Sequence, residues 1–249
     1  AFDATERINA FATYATSFKS VGVNLGGLPN IPAGLPNAGE PDLSIAEVKP
    51  EDVSHFEVGL KMSPTPRSTA NITLFNTEID DYQTNVVDTR TGGTPRGYLA
   101  SAERVRVRGV EFDGDVRIGT ALSLRGAIAY TDGEYVSSDT APPPLELTGG
   151  PATVDATGGR LPGLSEWAAS FGGEYNRSAS FFGRSGELFT GFDLYYRGDF
   201  SSNPTPSQYL NVDAYSLLNL RFGFRWNEGW SGYLWVRNAL DEEYFELLQ

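Results

Sequence analysis

Residues 216–226 read SLLNLRFGFRW, and large apolar residues alternate with polar or small ones along the whole stretch. Alternation with a period of two is typical of a strand whose two faces meet different environments. The length matches the 9–11 residues of a tilted membrane strand. An arginine on the lipid side of such a strand would cost about 2–4 kcal/mol near the bilayer midplane. We therefore expect Arg221 and Arg225 to face a polar lumen, and Phe222 and Phe224 to face lipid.

The same alternation recurs along the chain. Clear examples fall at 53–61, 121–130, 167–175 and 188–196, and less regular ones at 7–18, 70–79, 105–118 and 230–240. This predicts an all-β fold of about nine antiparallel strands. The residues opposite the apolar faces are predicted to form a mixed-charge, lumen-facing wall: Glu57, Lys61, Glu111, Asp113, Arg125, Asp193, Arg197, Arg221 and Arg225.

The connections between these strands alternate in length. Long polar segments fall at 20–52, 81–102, 132–164 and 198–213, and short joins at 63–67, 118–121, 177–186 and 227–229. Outer-membrane β-barrels show this rhythm, because their strands run up and down between short periplasmic turns and longer extracellular loops. Aromatic residues near the predicted strand ends suit interfacial girdles better than a ligand-binding surface: Tyr14, Tyr130, Tyr135, Trp167, Tyr175, Tyr196, Trp226, Trp230 and Tyr244.

One segment leaves two interpretations open. In 105–118 the apolar residues Val110 and Phe112 share parity with Arg104, Arg106 and Arg108. Either a β-bulge near Gly109 reverses the faces, or the three arginines point outward above the lipid band, where they would meet lipopolysaccharide phosphates.

Composition narrows the function class. The formal net charge of −13 argues against a nucleic-acid partner. With no Cys and a single His, His55, the chain offers no disulfide framework, thiolate metal site or histidine-based triad. The acidic run Glu78, Asp80 and Asp81 is expected to be a solvated loop entrance rather than a cation site. We predict no enzymatic activity, no metal and no cofactor.

Five segments, in order along the chain, resemble motifs of one family. The stretch 235–244 (WVRNALDEEY) resembles the penultimate-strand motif of TonB-dependent outer-membrane receptors, and 14–24 (YATSFKSVGVN), 56–61 (FEVGLK), 74–83 (LFNTEIDDYQ) and 107–112 (VRGVEF) resemble others. The resemblance implies that the matching residues maintain the barrel rather than touch substrate: Phe18, Lys19, Gly22, Asn24, Gly59, Gly109, Asn238, Asp241 and Tyr244.

The resemblance also implies a function. A parent protein of this family would be an active-transport receptor in the outer membrane of a Gram-negative cell. It would import a ferric siderophore, cobalamin, heme or oligosaccharide with energy from the TonB complex. The solute would contact extracellular loops, with 20–52 and 132–164 as the candidate regions, while the outside of the barrel would contact outer-membrane lipid and lipopolysaccharide.

Family members carry a plug domain and a barrel of 22 strands. Residues 1–249 are therefore interpreted as part of such a barrel, lacking the plug and the final strand, and forming an open curved sheet in isolation. The N-terminus has no signal-peptide pattern. The alternatives are a passive porin or structural barrel, and, less favoured, a soluble β-sandwich binding module.

Overall fold

The computed structural model describes residues 1–24, 28, 30–88, 96–203 and 205–248. These residues form fourteen strands. Their bounds are β1 Phe2–Thr5, β2 Ile8–Lys19, β3 Gly22–Val23, β4 Glu47–Val48, β5 Glu51–Thr65, β6 Ser68–Asp88, β7 Arg96–Ile118, β8 Leu122–Ser137, β9 Trp167–Phe181, β10 Arg184–Arg197, β11 Phe200–Ser201, β12 Asn211–Val212, β13 Tyr215–Trp226 and β14 Ser231–Val236. Two 3₁₀ turns cover Leu43–Ile45 and Leu145–Leu147.

Ten of these strands form one antiparallel sheet in the order β1-β2-β5-β6-β7-β8-β9-β10-β13-β14. The short strands pair separately, β3 with β4 and β11 with β12. Each main strand thus lies beside its predecessor, so successive connections fall at alternate ends of the sheet. We name these the long-loop end and the short-turn end. The all-β, open antiparallel fold is confirmed, and the described residues form no second large sheet of the kind that a β-sandwich requires.

Two details of the predicted strand map were wrong. A short first strand, β1, adds to the expected set and pairs with β2 at the edge of the sheet. The segment 81–102 is largely strand rather than loop, because β6 and β7 stay paired out to Asp88 and Arg96. A register shift beside Asp81, whose φ is +54°, lets the pairing continue past this point. Residues 89–95 lie outside the described part of the chain.

The continuous register gives the sheet one apolar and one polar face. Across β6, β7 and β8, Leu74 pairs with Val110 and Val110 with Tyr130, all on the apolar face. Exposed large apolar residues concentrate on this face, which suits contact with lipid. They include Tyr14, Phe18, Phe56, Leu60, Leu74, Phe112, Ile128, Trp167, Phe171, Tyr175, Leu220, Phe222 and Leu234.

The structure resolves the two interpretations of 105–118. Pairing between β7 and β8 is continuous from Val105 to Ile118, so no bulge occurs at Gly109. Arg106 and Arg108 therefore share the apolar-face parity but lie beyond its apolar band, towards the long-loop end, and Arg104 follows them just past a register shift. Each forms an ion pair with a carboxylate on a neighbouring strand: Arg104 with Asp80, Arg106 with Glu134 and Arg108 with Asp132. The band thus ends at a line of ion pairs, and these arginines already have anionic partners within the protein.

Glycines on the polar face make room for large side chains from the opposite strand. Phe11 pairs with Gly59 and Phe75 with Gly109. A Cβ at Gly59 would lie 2.6 Å from the Phe11 ring, and one at Gly109 would lie 2.8 Å from Phe75 Cζ. An aromatic ring laid over a glycine shields backbone that the missing side chain leaves open. The glycine thus serves close packing rather than a bulge.

The long loop after β8 packs against the polar face. Val105 and Tyr135, on neighbouring strands, are buried with Ala141, Ala156 and Leu161 of the loop. Tyr135 is 2 % exposed and lies on the polar face, so its predicted place in an interfacial girdle was wrong. The irregular segment 138–164 is therefore fastened onto the wall by its own small apolar core. Among the described residues, no helix has the length and apolar character needed to cross a bilayer.

Replacing Gly109 by Ala in the full-length protein should lower the yield of folded barrel. The new Cβ would sit 2.2 Å from the Tyr130 carbonyl oxygen, and overpacking of this kind costs about 1–3 kcal/mol. The matched control is Gly126→Ala, whose Cβ would meet its nearest atom at an ordinary 3.4 Å. Folded fractions after refolding into lipid, read from heat-shifted gel mobility, report the difference. Equal fractions for the two variants would contradict this account of Gly109.

Candidate functional site

The candidate site is the polar face together with the loops at the long-loop end. The strand pairings place all the predicted wall residues on this one face. Lys61 lies opposite Asn9, Glu57 opposite Thr13, and Asp113 opposite Ala127. That this face lines a lumen stays a prediction.

The structure brings part of the predicted wall together as a charge network on β8, β9, β10 and β13. Asp193 accepts hydrogen bonds from Arg125 and, at 2.6 Å, from Arg221 Nη1. Glu174 accepts from Arg221 Nε at 3.3 Å and from Arg225 Nη2 at 2.9 Å. Because each carboxylate serves two arginines, the network holds the side chains in fixed positions across four strands.

Two glycines leave space for this network. Gly172 lies opposite Arg125 and Gly191 lies opposite Arg221. A Cβ at Gly172 would be 2.6 Å from Asp193 Oδ1, and one at Gly191 would be 2.7 Å from Arg221 Nε. The Arg125 side chain therefore crosses β9 above Gly172 to reach Asp193 on β10. The Arg221 side chain crosses β10 above Gly191 to reach Glu174 on β9. The arrangement makes a polar surface in which each of these charges is paired with one of opposite sign.

The remaining predicted wall residues lie outside the network. Lys61 Nζ is 5.2 Å from the centre of the Phe11 ring, and Asp113 accepts a hydrogen bond from Asn71. Glu57 is 3.6 Å from His55 Nε2, and Glu111 is exposed on the same face.

Arg197 has a different role from its predicted neighbours. Its guanidinium donates to the Gly163 carbonyl at 2.7 Å and to Ser165 Oγ at 3.1 Å. It also stacks over the Phe200 ring, with Cζ 3.8 Å from the ring centre. Arg197 thus anchors the two long loops at the top of β10 rather than extending the charge network.

The motif residues near the N-terminus brace the loop that follows β2. Lys19 Nζ donates to the buried Glu51 carboxylate at 2.8 Å. The Asn24 side chain forms two hydrogen bonds with the backbone of Leu99, as a neighbouring strand would. A Cβ at Gly22 would meet Leu99 Cδ2 at 3.2 Å. Phe18 has no part in this brace, because its side chain is exposed on the apolar face.

The C-terminal motif closes the turn after β14. Asn238 and Asp241 both adopt positive φ, at +49° and +53°. The Asn238 side chain exchanges two hydrogen bonds with the backbone of Glu242, at 2.9 and 3.0 Å. Tyr244 stacks on Tyr215 with ring centres 4.5 Å apart. These contacts support a structural role for the motif residues, which stays a prediction.

The loops after β8 and β10 are fastened to one another. Glu146 accepts hydrogen bonds from Ser207 Oγ at 2.7 Å and from the Gln208 backbone at 3.2 Å. The hydrogen bond from Ser207 lowers the pKa of the Glu146 carboxyl below its ordinary 4.5. Thr205 Oγ1 donates to the Pro142 carbonyl at 2.6 Å. We call these two segments, 138–166 and 198–214, the joined loops.

Sequence reasoning missed several of these residues. Glu51 and Gln83 hold the base of the first long loop, since the Gln83 amide donates to the carbonyls of Ser20 and Lys49, each at 2.9 Å. The opposite charges of Lys19 and Glu51, which face each other across β2 and β5, could have indicated a role for Glu51. The Glu146–Ser207 contact joins residues far apart in sequence, and no sequence pattern indicated it.

Within the described part of the chain, no group of three or more His, Cys, Asp or Glu residues is arranged to hold a metal ion. Comparison of the sequence with curated proteins gives no match.

Several solved structures that share this fold are receptors for iron complexes. The ferric yersiniabactin uptake receptor FyuA from Yersinia pestis aligns over 98 % of this chain and 32 % of its own, with a TM-score of 0.70 and 16 % identity. The ferric-catecholate import receptor Fiu from E. coli K12 aligns over 98 % of this chain and 30 % of its own, with a TM-score of 0.63 and 20 % identity. BauA, the ferric preacinetobactin receptor from Acinetobacter baumannii, aligns over 97 % of this chain and 31 % of its own, with a TM-score of 0.62 and 16 % identity.

This chain thus spans about a third of the length of each of these receptors. At such low identity the likeness shows the fold alone. The family model described as "TonB dependent receptor-like, beta-barrel" matches residues 1–239. Since that match covers nearly all of the chain, the protein belongs to the TonB-dependent receptor β-barrel family.

Proposed function

We propose that the intact protein is an active-transport receptor of the Gram-negative outer membrane, which imports a scarce solute with energy from the TonB complex. The observation that supports this proposal is the family match over residues 1–239. These residues form an antiparallel meander with one apolar and one polar face. In this proposal the apolar face meets lipid and lipopolysaccharide, and the polar face lines the lumen. The energy-transducing complex would engage a region outside these residues.

A ferric siderophore is the solute class we favour over cobalamin, heme or oligosaccharide. The structural neighbours named above are receptors for ferric yersiniabactin, ferric preacinetobactin and ferric catecholates. The solute would meet the loop that spans 20–50 and the joined loops at the long-loop end. A passive porin has less support, because the family match is to receptors.

An uptake assay tests the proposal. The full-length gene, expressed in a bacterial strain lacking its own siderophore receptors, should restore growth on a panel of ferric siderophores only when TonB is present. TonB-independent uptake of small solutes would instead identify a porin. Growth on heme, cobalamin or oligosaccharide alone would keep the receptor but change the solute class.

Cysteine labelling tests the assignment of the two faces, and the chain offers a clean background because it has no Cys. Glu111 and Phe112 are adjacent on β7 and lie on opposite faces. In the reconstituted protein, Glu111→Cys should react with a water-soluble maleimide, whereas Phe112→Cys should not and should be shielded by lipid. The reverse pattern would overturn the lumen assignment.

The joined loops give a pH-dependent prediction. Because the folded state lowers the pKa of Glu146, its contact with Ser207 should stabilise the loops above the ordinary value of 4.5 and be lost as the pH falls through the lower folded value. Hydrogen exchange of segment 198–214 should therefore be faster in Glu146→Gln than in wild type at neutral pH, and the gap should close in acid. Glu187→Gln, on the polar wall, is the control. A gap that persists in acid would contradict this role for Glu146.

A further inference from the structure

The two-residue turn between β9 and β10 breaks a local rule. Phe182 and Gly183 both adopt positive φ, +51° and +74°, as a tight type I′ hairpin requires. Glycine or asparagine normally fills such positions, and a bulky residue there is a conformational outlier. At the other short turns with positive φ the residue is glycine, Gly119 and Gly229. Phe182 is thus held in an unfavourable backbone conformation.

The side chain of Phe182 gains no burial in return. It is 85 % exposed, and its main aromatic contact is with Phe181, at 4.3 Å between ring centres. Phe181 continues the apolar face and packs against Phe224 and Trp226, with ring centres 5.6 and 6.0 Å away. An aromatic cluster therefore runs from the lipid-facing surface out to the tip of the hairpin.

Two arginines flank this cluster on the same face. Arg177 lies opposite Leu188, and Arg184 lies opposite Phe181. Both are exposed, and neither forms an ion pair with any residue in the described ranges. The contrast with the long-loop end is clear, because Arg104, Arg106 and Arg108 there are all paired with carboxylates.

We propose that the β9–β10 hairpin tip is a binding site for an anionic phospholipid headgroup. Phe182 lies among the headgroups at the hairpin tip, and Arg184 pairs with the lipid phosphate. Arg177, four residues from Phe181 towards the bilayer centre, extends its side chain outward to the same phosphate. Exposed aromatic rings beside cations suit this interface, and the apolar face continues directly into the cluster. The site would lie in the periplasmic leaflet, since short turns of outer-membrane barrels are periplasmic. This inference rests on the proposed function.

Retention of lipid by the full-length protein in detergent tests the site. Native mass spectrometry counts bound phosphatidylglycerol, which is anionic, and, as the comparison without net charge, the zwitterionic phosphatidylcholine. Arg177→Gln/Arg184→Gln should bind phosphatidylglycerol about 10- to 30-fold more weakly, given roughly 1 kcal/mol per basic residue near an anionic surface. The control, Arg67→Gln/Arg117→Gln, removes the same charge from the β5–β6 turn and the polar face and should leave retention unchanged. Equal retention in the two double variants would overturn the proposal.

A second variant separates binding from folding. Phe182→Asn suits positive φ, so it should raise the urea midpoint of the protein while weakening retention of both lipids several-fold. A lower midpoint with unchanged lipid retention would mean that Phe182 packs against protein, and would overturn its role here. Heat-shifted mobility and siderophore uptake report the proposed function separately. If the protein folds and transports but every variant retains lipid alike, only the lipid site fails; if it never enters lipid, both proposals fail.

Discussion

Every backbone N–H and C=O group that faces lipid must find its partner within the sheet, because a bilayer offers no water to replace it. Antiparallel pairing meets this demand, and its register also fixes which side chains share a face. From Val105 to Ile118 the pairing of β7 with β8 has no slip. A single-residue slip there would turn Phe112 towards the polar face and Glu111 towards the apolar face. The separation of the two faces depends on this register.

Glycine supplies the space that the register demands on the polar face. Where the neighbouring residue on this face is glycine, a ring or guanidinium can lie across its backbone. Phe75 does so over Gly109, and Arg221 does so over Gly191. The same device thus packs aromatic rings in one part of the wall and ion pairs in another. It makes the wall rigid without filling it with apolar side chains.

The long loops are extensions of the wall rather than free appendages. The loop after β8 buries Ala156 and Leu161 against Val105 and Tyr135, and it is joined through Glu146 to the loop after β10. The two loops are therefore held together as one unit at the long-loop end. The short-turn end is built differently, since its turns are small and its aromatic cluster faces outward.

The sequence by itself determined the all-β class, the antiparallel meander and the facing of residues such as Arg221 and Phe222, because a period of two reports local geometry. The family motifs also indicated Asn24 and Gly109 as structural residues, without indicating which residues they contact. Only the tertiary structure decided that Gly109 accommodates Phe75 and that Arg106 and Arg108 of β7 lie on the apolar face without a bulge at Gly109. It also decided that Tyr135 is covered by a loop. These outcomes depend on which residue lies across the strand or returns from a distant loop, and no local pattern records that.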